Sequence, residues 1–164
     1  MGVSGCGKTT VGRVLAERLG WPYVDGDDLH PPANVAKMAA GHPLNDEDRW
    51  PWLHAIRRQL DTWGSAGVDG VLACSALRRA YRDVLRDGPG EVRFAFLDVD
   101  PAVLADRLAH RSGHFMPSAL LASQLATLEP PAPDEHPIRI AVHHNPDVDD
   151  VVNEIIVRLA ATDS

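Results

Sequence analysis

Gly2-Val3-Ser4-Gly5-Cys6-Gly7-Lys8-Thr9 satisfies the pattern G-x-x-x-x-G-K-[S/T] at every fixed position, and the residues from Lys8 to Leu19 continue with helical periodicity. Glycines let a backbone turn tightly enough for several successive N–H groups to point at one anion. A helix opening at Lys8 adds the positive end of its dipole. The Lys8 ammonium then reaches the β- and γ-phosphates of a nucleotide, and the Thr9 hydroxyl ligates magnesium. The bland alternative is a glycine-rich turn without function. A full-length match running straight into a helix with Val11, Val14, Leu15 and Leu19 on one face disfavours it. Gly2, Ser4, Gly5, Cys6, Gly7, Lys8, Thr9 and Thr10 are the expected nucleotide contacts, and ATP with Mg2+ the expected cofactors.

Outward from this loop, short apolar strands alternate with amphipathic helices. Gly20 stops the first helix, and Tyr23-Val24-Asp25 reads as a strand ending in an acidic loop. A second helix spans residues 33–40, opened by Pro31-Pro32 and closed by Gly41. A third starts near Pro51 and carries Trp52, Leu53, Ile56, Leu60 and Trp63 inward. Val71-Leu72-Ala73-Cys74 is a continuous apolar run, as in a strand covered on both faces. A short helix over 78–85, a strand over 92–99, helices over 101–111 and 118–128, a strand over 138–142 and a closing helix from Val148 complete the pattern. Strands joined by helix-length crossovers pair in parallel. The expectation is one P-loop domain, residues 1–164: a three-layer α/β/α sandwich with a parallel sheet and a helical lid at about 104–124. Such a loop normally follows a buried strand of roughly five to eight apolar residues. None precedes Gly2, so two neighbouring strands are expected to lack a partner and the working protein to extend further upstream.

The 164 residues are 45% hydrophobic and 24% charged, ordinary globular composition. Sixteen Lys and Arg against 23 Asp and Glu give a net charge of −7, which lacks the electrostatic footprint of a nucleic-acid binder. An anionic substrate must then be met by a local arginine or lysine cluster. Cys6 and Cys74 form no metal-type pair and read as reduced thiols of a cytoplasmic protein. No apolar run approaches the ~18 residues of a membrane span.

Ligands of an open parallel sheet sit beyond the carboxyl ends of its strands. After the Tyr23 strand come Asp25, Asp27, Asp28 and His30; after the Cys74 strand come Arg78 and Arg82; after Val99 comes a helix bearing Arg107 and Arg111. Asp27 is placed to orient an acceptor hydroxyl, to take its proton late in transfer, and to touch the magnesium ion through water. Asp25 either caps the turn or joins the site. The basic segment with Ser112-Gly113-His114-Phe115 reads as a closing lid that excludes water and brings Arg107 and Arg111 to the transferring phosphate; a solvated basic helix face is the alternative. His143-His144-Asn145-Pro146, after the last strand, is the natural adenine-side loop, which adds Asn145 and Pro146 to the nucleotide contacts. His110 and His114 have helical spacing but no third ligand at a recognisable interval, so zinc is not expected. Trp21, Trp50, Trp52 and Trp63 read as core or lid-base packing.

Several of these stretches together resemble the gluconate kinases of the shikimate-kinase-like P-loop group. The resemblance is carried by Asp25-Gly26-Asp27-Asp28-Leu29-His30-Pro31, by Pro43-Leu44-Asn45-Asp46-Glu47-Asp48-Arg49, and by Cys74-Ser75-Ala76-Leu77-Arg78 with Tyr81-Arg82-Asp83. Gly113-His114-Phe115 and Gln124 with Thr127-Leu128-Glu129 resemble the family's lid and post-lid elements. The resemblance implies transfer of the ATP γ-phosphoryl group to the 6-hydroxyl of D-gluconate, and a homodimer. It makes His30, Arg49, Arg78, Arg82 and His114, with Asp27, candidates for the sugar-acid pocket. Leu125 departs from the usual aromatic residue, and His143-His144 from a common acidic one. A shikimate or other small-metabolite kinase is the nearest alternative. A nucleotide-binding sensor without catalysis is the alternative from another class, disfavoured by the presence of Lys8, Thr9, Asp27 and the lid arginines together.

Overall fold

The computed structural model describes residues 1–109, 118–142 and 147–162. Arg111, His114, Asn145 and Pro146 lie outside the described residues. In chain order the elements are α1 (Lys8–Leu19), β1 (Tyr23–Asp25), a 3-10 turn (Gly26–Leu29), α2 (Pro32–Ala39), α3 (Asp46–Ala66), β2 (Val71–Ala73) and α4 (Arg79–Arg86). Then come β3 (Ala95–Val99), α5 (Pro101–Ala109), α6 (Ser118–Thr127), a second 3-10 turn (Pro133–Glu135), β4 (Ile138–Val142) and α7 (Val148–Thr162).

The strands form two parallel pairs. Tyr23 faces Val71 in β1–β2, and Ala95 faces Ile138 in β3–β4. Met1 and Gly2 lie between the pairs: the Leu97 N–H donates to the Met1 carbonyl at 3.0 Å, the Met1 amine to the Ala95 carbonyl at 2.5 Å, and the Gly2 N–H to the Ser75 carbonyl at 3.2 Å. The facing edges of β2 and β3 are thus bridged at one end, where both were expected to lack a partner. Behind this bridge the half-sheets line a cavity of about 520 Å³, with Leu72, Ala73, Phe94 and Ala95 on its two sides.

Apolar periodicity sends the helices to opposite faces of the strands. Val11 and Leu15 of α1 and Val151, Val152 and Ile155 of α7 bury one core with Leu97, Val99, Ile138 and Ile140. Trp52, Leu53 and Ile56 of α3 and Tyr81 and Leu85 of α4 bury a second with Cys74 and Phe94. Helix α3 starts five residues before the proline expected to open it (residue 46 against 51) because Asn45 and Asp48 form a reciprocal capping box. The Asp48 N–H donates to Asn45 Oδ1 at 2.9 Å, and the Asn45 N–H to Asp48 Oδ2 at 2.8 Å.

Arg82 is corrected from substrate contact to structural clamp. Its side chain is 1% exposed and holds Glu135, equally buried, through Nε at 2.6 Å and Nη2 at 2.8 Å. Nη1 donates to the carbonyls of Ala76, Leu77 and Glu129, so every side of the guanidinium is taken. This one side chain ties α4 and the loop after β2 to the segment leading into β4. The Arg82 guanidinium holds the Glu135 carboxyl at about 2, below its ordinary 4.5. A carboxyl lowered on folding contributes stability above its unfolded value and loses it as pH falls. Stability therefore declines as pH drops from about 4.5 toward about 2, and Glu135→Gln flattens that part of a urea-denaturation pH profile. Arg82→Met leaves the buried Glu135 carboxylate with Arg86 at 3.5 Å as its remaining cation and costs about 3–5 kcal/mol in the same measurement at neutral pH.

Candidate active site

The phosphate loop leaves the N–H groups at the start of α1 without a side-chain cap. Gly7 caps α1 with φ 102°, a left-handed conformation that L side chains rarely adopt, and no side chain caps the N-terminal N–H groups. No acidic residue lies in that first turn, so nothing in it competes with an incoming anion. The Lys8 ammonium folds back onto the Val3 carbonyl at 3.0 Å. Gln124 of α6 clamps the loop from outside, accepting from the Ser4 N–H at 2.7 Å and donating to the Ser4 hydroxyl at 3.1 Å. Cys6 is buried in the loop's underside, and Thr10 is exposed on the first turn of α1.

Beside this loop, the end of β1 gathers oxygen donors. Thr9 Oγ1 donates to Asp25 Oδ2 at 2.9 Å, and the Tyr23 hydroxyl donates to the same oxygen at 3.1 Å. Asp25 Oδ1 accepts from the Asp27 N–H at 3.1 Å, so Asp25 both caps the turn and joins the site. Asp27 is raised above the ordinary carboxylate value: its surroundings desolvate the carboxyl although the residue reaches solvent, Lys8 pulls the value back down, and Asp25 and Asp28 push it up. The Lys8 interaction places Asp27 within electrostatic reach of the phosphate loop. Gly26 is required here, since a Cβ on it would stand 2.6 Å from the Ala73 carbonyl oxygen.

Further along the same turn, His30 stacks on Trp52 with ring centroids 4.3 Å apart and planes 10° from parallel. Trp52 is fixed in turn by donating from Nε1 to the Gly26 carbonyl at 2.6 Å. His30 Nδ1 lies 3.3 Å from Asn34 Nδ2, which also donates to the Asp48 carbonyl at 2.7 Å. Burial and the nearby Arg49 guanidinium push the imidazole down to about 4. Arg49, itself buried, donates to the Tyr81 hydroxyl at 3.2 Å; Arg78, at the head of α4, pairs with Asp46 at 2.7 Å. Contacts thus run from Thr9 through Asp25 to the turn of Gly26 and Asp27, and from Gly26 through Trp52 to His30, with the Arg49 guanidinium near enough to act on the imidazole.

The phosphate loop and the parallel α/β fold agree with the comparisons. A family model described as shikimate kinase matches residues 4–160. The gluconokinase of Gluconobacter oxydans (strain 621H) is 52% identical over 163 residues, covering 99% of this chain and 90% of that protein. The chain belongs to the shikimate kinase family, among its gluconokinases. Two solved structures superpose closely: an unliganded sugar kinase from Janibacter sp. HTCC2649, with a TM-score of 0.89 at 44% identity over 98% of this chain and 91% of that one, and a gluconokinase from Sinorhizobium meliloti 1021, at 0.83 and 46% over 99% and 90%.

In this kinase Thr9 and Asp27 are joined through Asp25, and Arg49 and Arg78 are joined through Tyr81 and Asp46. Lys8 rests on the Val3 carbonyl, His30 stacks on Trp52, and Arg82 is enclosed by Glu135 and three carbonyls. Arg107 lies in the last turn of α5. Sequence reasoning missed Tyr23 and Asp46. Tyr23 shares its strand face with Asp25, two residues on, so period-two spacing held that signal. Trp52, read as packing, also forms the floor under His30. Because His30 binds its proton only near pH 4 when folded, against an ordinary 6.5, its imidazole stays neutral through the physiological range. An NMR titration should give its resonances a midpoint near 4; a midpoint at 6 or above would show that the ring is not desolvated.

Proposed function

We infer that this kinase transfers the γ-phosphoryl group of ATP to the 6-hydroxyl of D-gluconate, giving 6-phospho-D-gluconate and ADP. The observation that carries this reading is the junction of the phosphate loop with the end of β1. There Thr9 Oγ1 donates to Asp25 Oδ2 at 2.9 Å and the Asp27 N–H to Asp25 Oδ1 at 3.1 Å, which ties the start of α1 to the turn that carries Asp27. Lys8, released from the Val3 carbonyl, stabilises charge on the phosphoryl group in flight. Asp27, with an affinity for protons raised by its surroundings, orients the acceptor hydroxyl and takes its proton. The relatives' names supply the acceptor: a sugar acid has a hydroxyl for Asp27 at one end and a carboxylate for arginine at the other.

The donor set suits magnesium, which prefers hard oxygen ligands and keeps several waters. Thr9 Oγ1 would hold the ion directly, with Asp25 and Asp27 reaching it through water. An ion held there would supply positive charge against the nucleotide's phosphates. Arg107 and Arg111 on the lid at about 104–124, His114 in the sugar-acid pocket, Asn145 and Pro146 on the adenine side, a homodimer and a cytoplasmic location belong to the same reading.

A coupled assay of ADP release tests it. Turnover should rise with gluconate and not with shikimate or a mononucleotide. Lys8→Ala should lower kcat by two or more orders of magnitude, on the scale of a lost transition-state donor of ~3 kcal/mol. Asp27→Asn should lower kcat by roughly 10²-fold or more; an unchanged kcat would remove Asp27 from the chemistry.

A further inference from the structure

The guanidinium of Arg78 already holds a carboxylate. Its Nη1 donates to Asp46 Oδ2 at 2.7 Å, while Asp46 Oδ1 accepts from the Tyr81 hydroxyl at 2.5 Å. Arg49 Nη1 stands 4.0 Å from that same oxygen. Both guanidiniums lie over the Tyr81 ring, at 5.7 and 6.0 Å from its centroid. Two cations and a phenol therefore converge on one carboxylate beyond His30.

Asp46 takes no part in capping its own helix, and within α3 its ionic neighbour is Arg49 at 4.0 Å. The α3 capping box is made by Asn45 and Asp48, and the Asp46 side chain contributes no hydrogen bond to it. Among the described residues, its polar contacts are Arg78, Tyr81 and Arg49. The pair is also open to solvent, with side chains 41% and 39% exposed. An exposed ion pair contributes little to stability, so exchanging its carboxylate for another costs little. Arg78 gives Asp46 a single Nη1 contact, whereas a free carboxylate can take two parallel N–H groups.

We propose that Asp46 is a resident stand-in for the substrate's carboxylate. Arg78, backed by Arg49 and Tyr81, forms the subsite that reads the acid end of the acceptor, and Asp46 leaves it when an acidic acceptor arrives. This deepens the gluconokinase reading and rests on it. It also supplies selectivity: an acceptor with a neutral end cannot displace Asp46 and meets an occupied subsite.

The test is a double-mutant cycle on the full chain, reading gluconate KM against kcat at saturating ATP and gluconate Kd by calorimetry. Arg78→Gln should raise gluconate KM and Kd on the order of 10- to 100-fold, as for loss of a charge-assisted bond. Asp46→Asn should lower both by roughly three- to tenfold, because the competing charge is gone. In the Arg78→Gln background, Asp46→Asn should give no gain. An Asp46→Asn variant that raises KM, or gains equally without Arg78, overturns the proposal. Where Arg78→Gln fails to melt cooperatively, Arg78→Lys keeps the charge, loses the fork and completes the same cycle. Wild-type protein that does not turn over gluconate sinks the function reading and this subsite with it. Wild-type protein that does, with Asp46→Asn neutral, sinks the subsite alone.

Discussion

A loop that presents N–H groups to a ligand gains little shape from internal hydrogen bonds; here the Cys6 N–H reaches the Val3 carbonyl only at 3.4 Å. It has to be held from outside, and that constraint organises this molecule. The bond from the Gly2 N–H to the Ser75 carbonyl ties the loop's first residue to the segment after β2, and the Met1 carbonyl ties the preceding one to β3. Gln124 reaches it from α6, and Asp25 holds Thr9 from β1. Each anchor also places a neighbour: Asp25 sets the turn that carries Asp27, and the segment beginning at Ser75 leads to Arg78. Asp27 and the segment leading to Arg78 are thus positioned by contacts that also hold the phosphate loop.

Arginine serves two opposite purposes in this pocket wall, separated by burial and by the number of partners. Arg82 is enclosed and saturated, with a carboxylate on one edge and three carbonyls on the other. Removing it takes the closer of two cations from a buried carboxylate, the other being Arg86 at 3.5 Å, so its contribution is to stability. Arg78, four positions earlier and half in water, makes one ionic contact with a carboxylate that is itself exposed. Little stability rides on that bond, which frees it to exchange partners. The turn of helix between them lets one residue anchor the wall while the other stays exposed beside Asp46.

Sequence alone made the phosphate loop, the extent of α1 and β4, and the cluster of Asp27 with His30 legible, because each depends on residues adjacent in the chain. The start of α3 was also local, but Pro51 is a louder signal than a capping pair of Asn45 and Asp48, and the louder one prevailed. The role of Arg82 was not legible: its partner lies 53 residues away, and nothing near either residue announces the pairing. Arg78 and Arg82 looked equivalent because they share one motif and differ only in what the fold puts around them. Asp46 was hidden for the same reason, its contacts being with Arg78 and Tyr81 more than thirty positions on.

An acidic chain that must bind anions faces a choice between leaving cations bare and compensating them internally. A net charge of −7 repels ATP and a sugar acid at long range, so the pocket needs strong local cations. Bare guanidinium and ammonium groups would bind any passing anion. Here Lys8 rests on the Val3 carbonyl and Arg78 on Asp46. Ligand binding then exchanges one oxygen partner for another, which costs affinity but admits only ligands that return the bond in full. Because the Lys8 contact is with a neutral carbonyl and the Arg78 contact with a full negative charge, the exchange is the more selective at the acceptor's end. There the pocket must reject neutral sugars, whereas a triphosphate is already distinguished by its own charge.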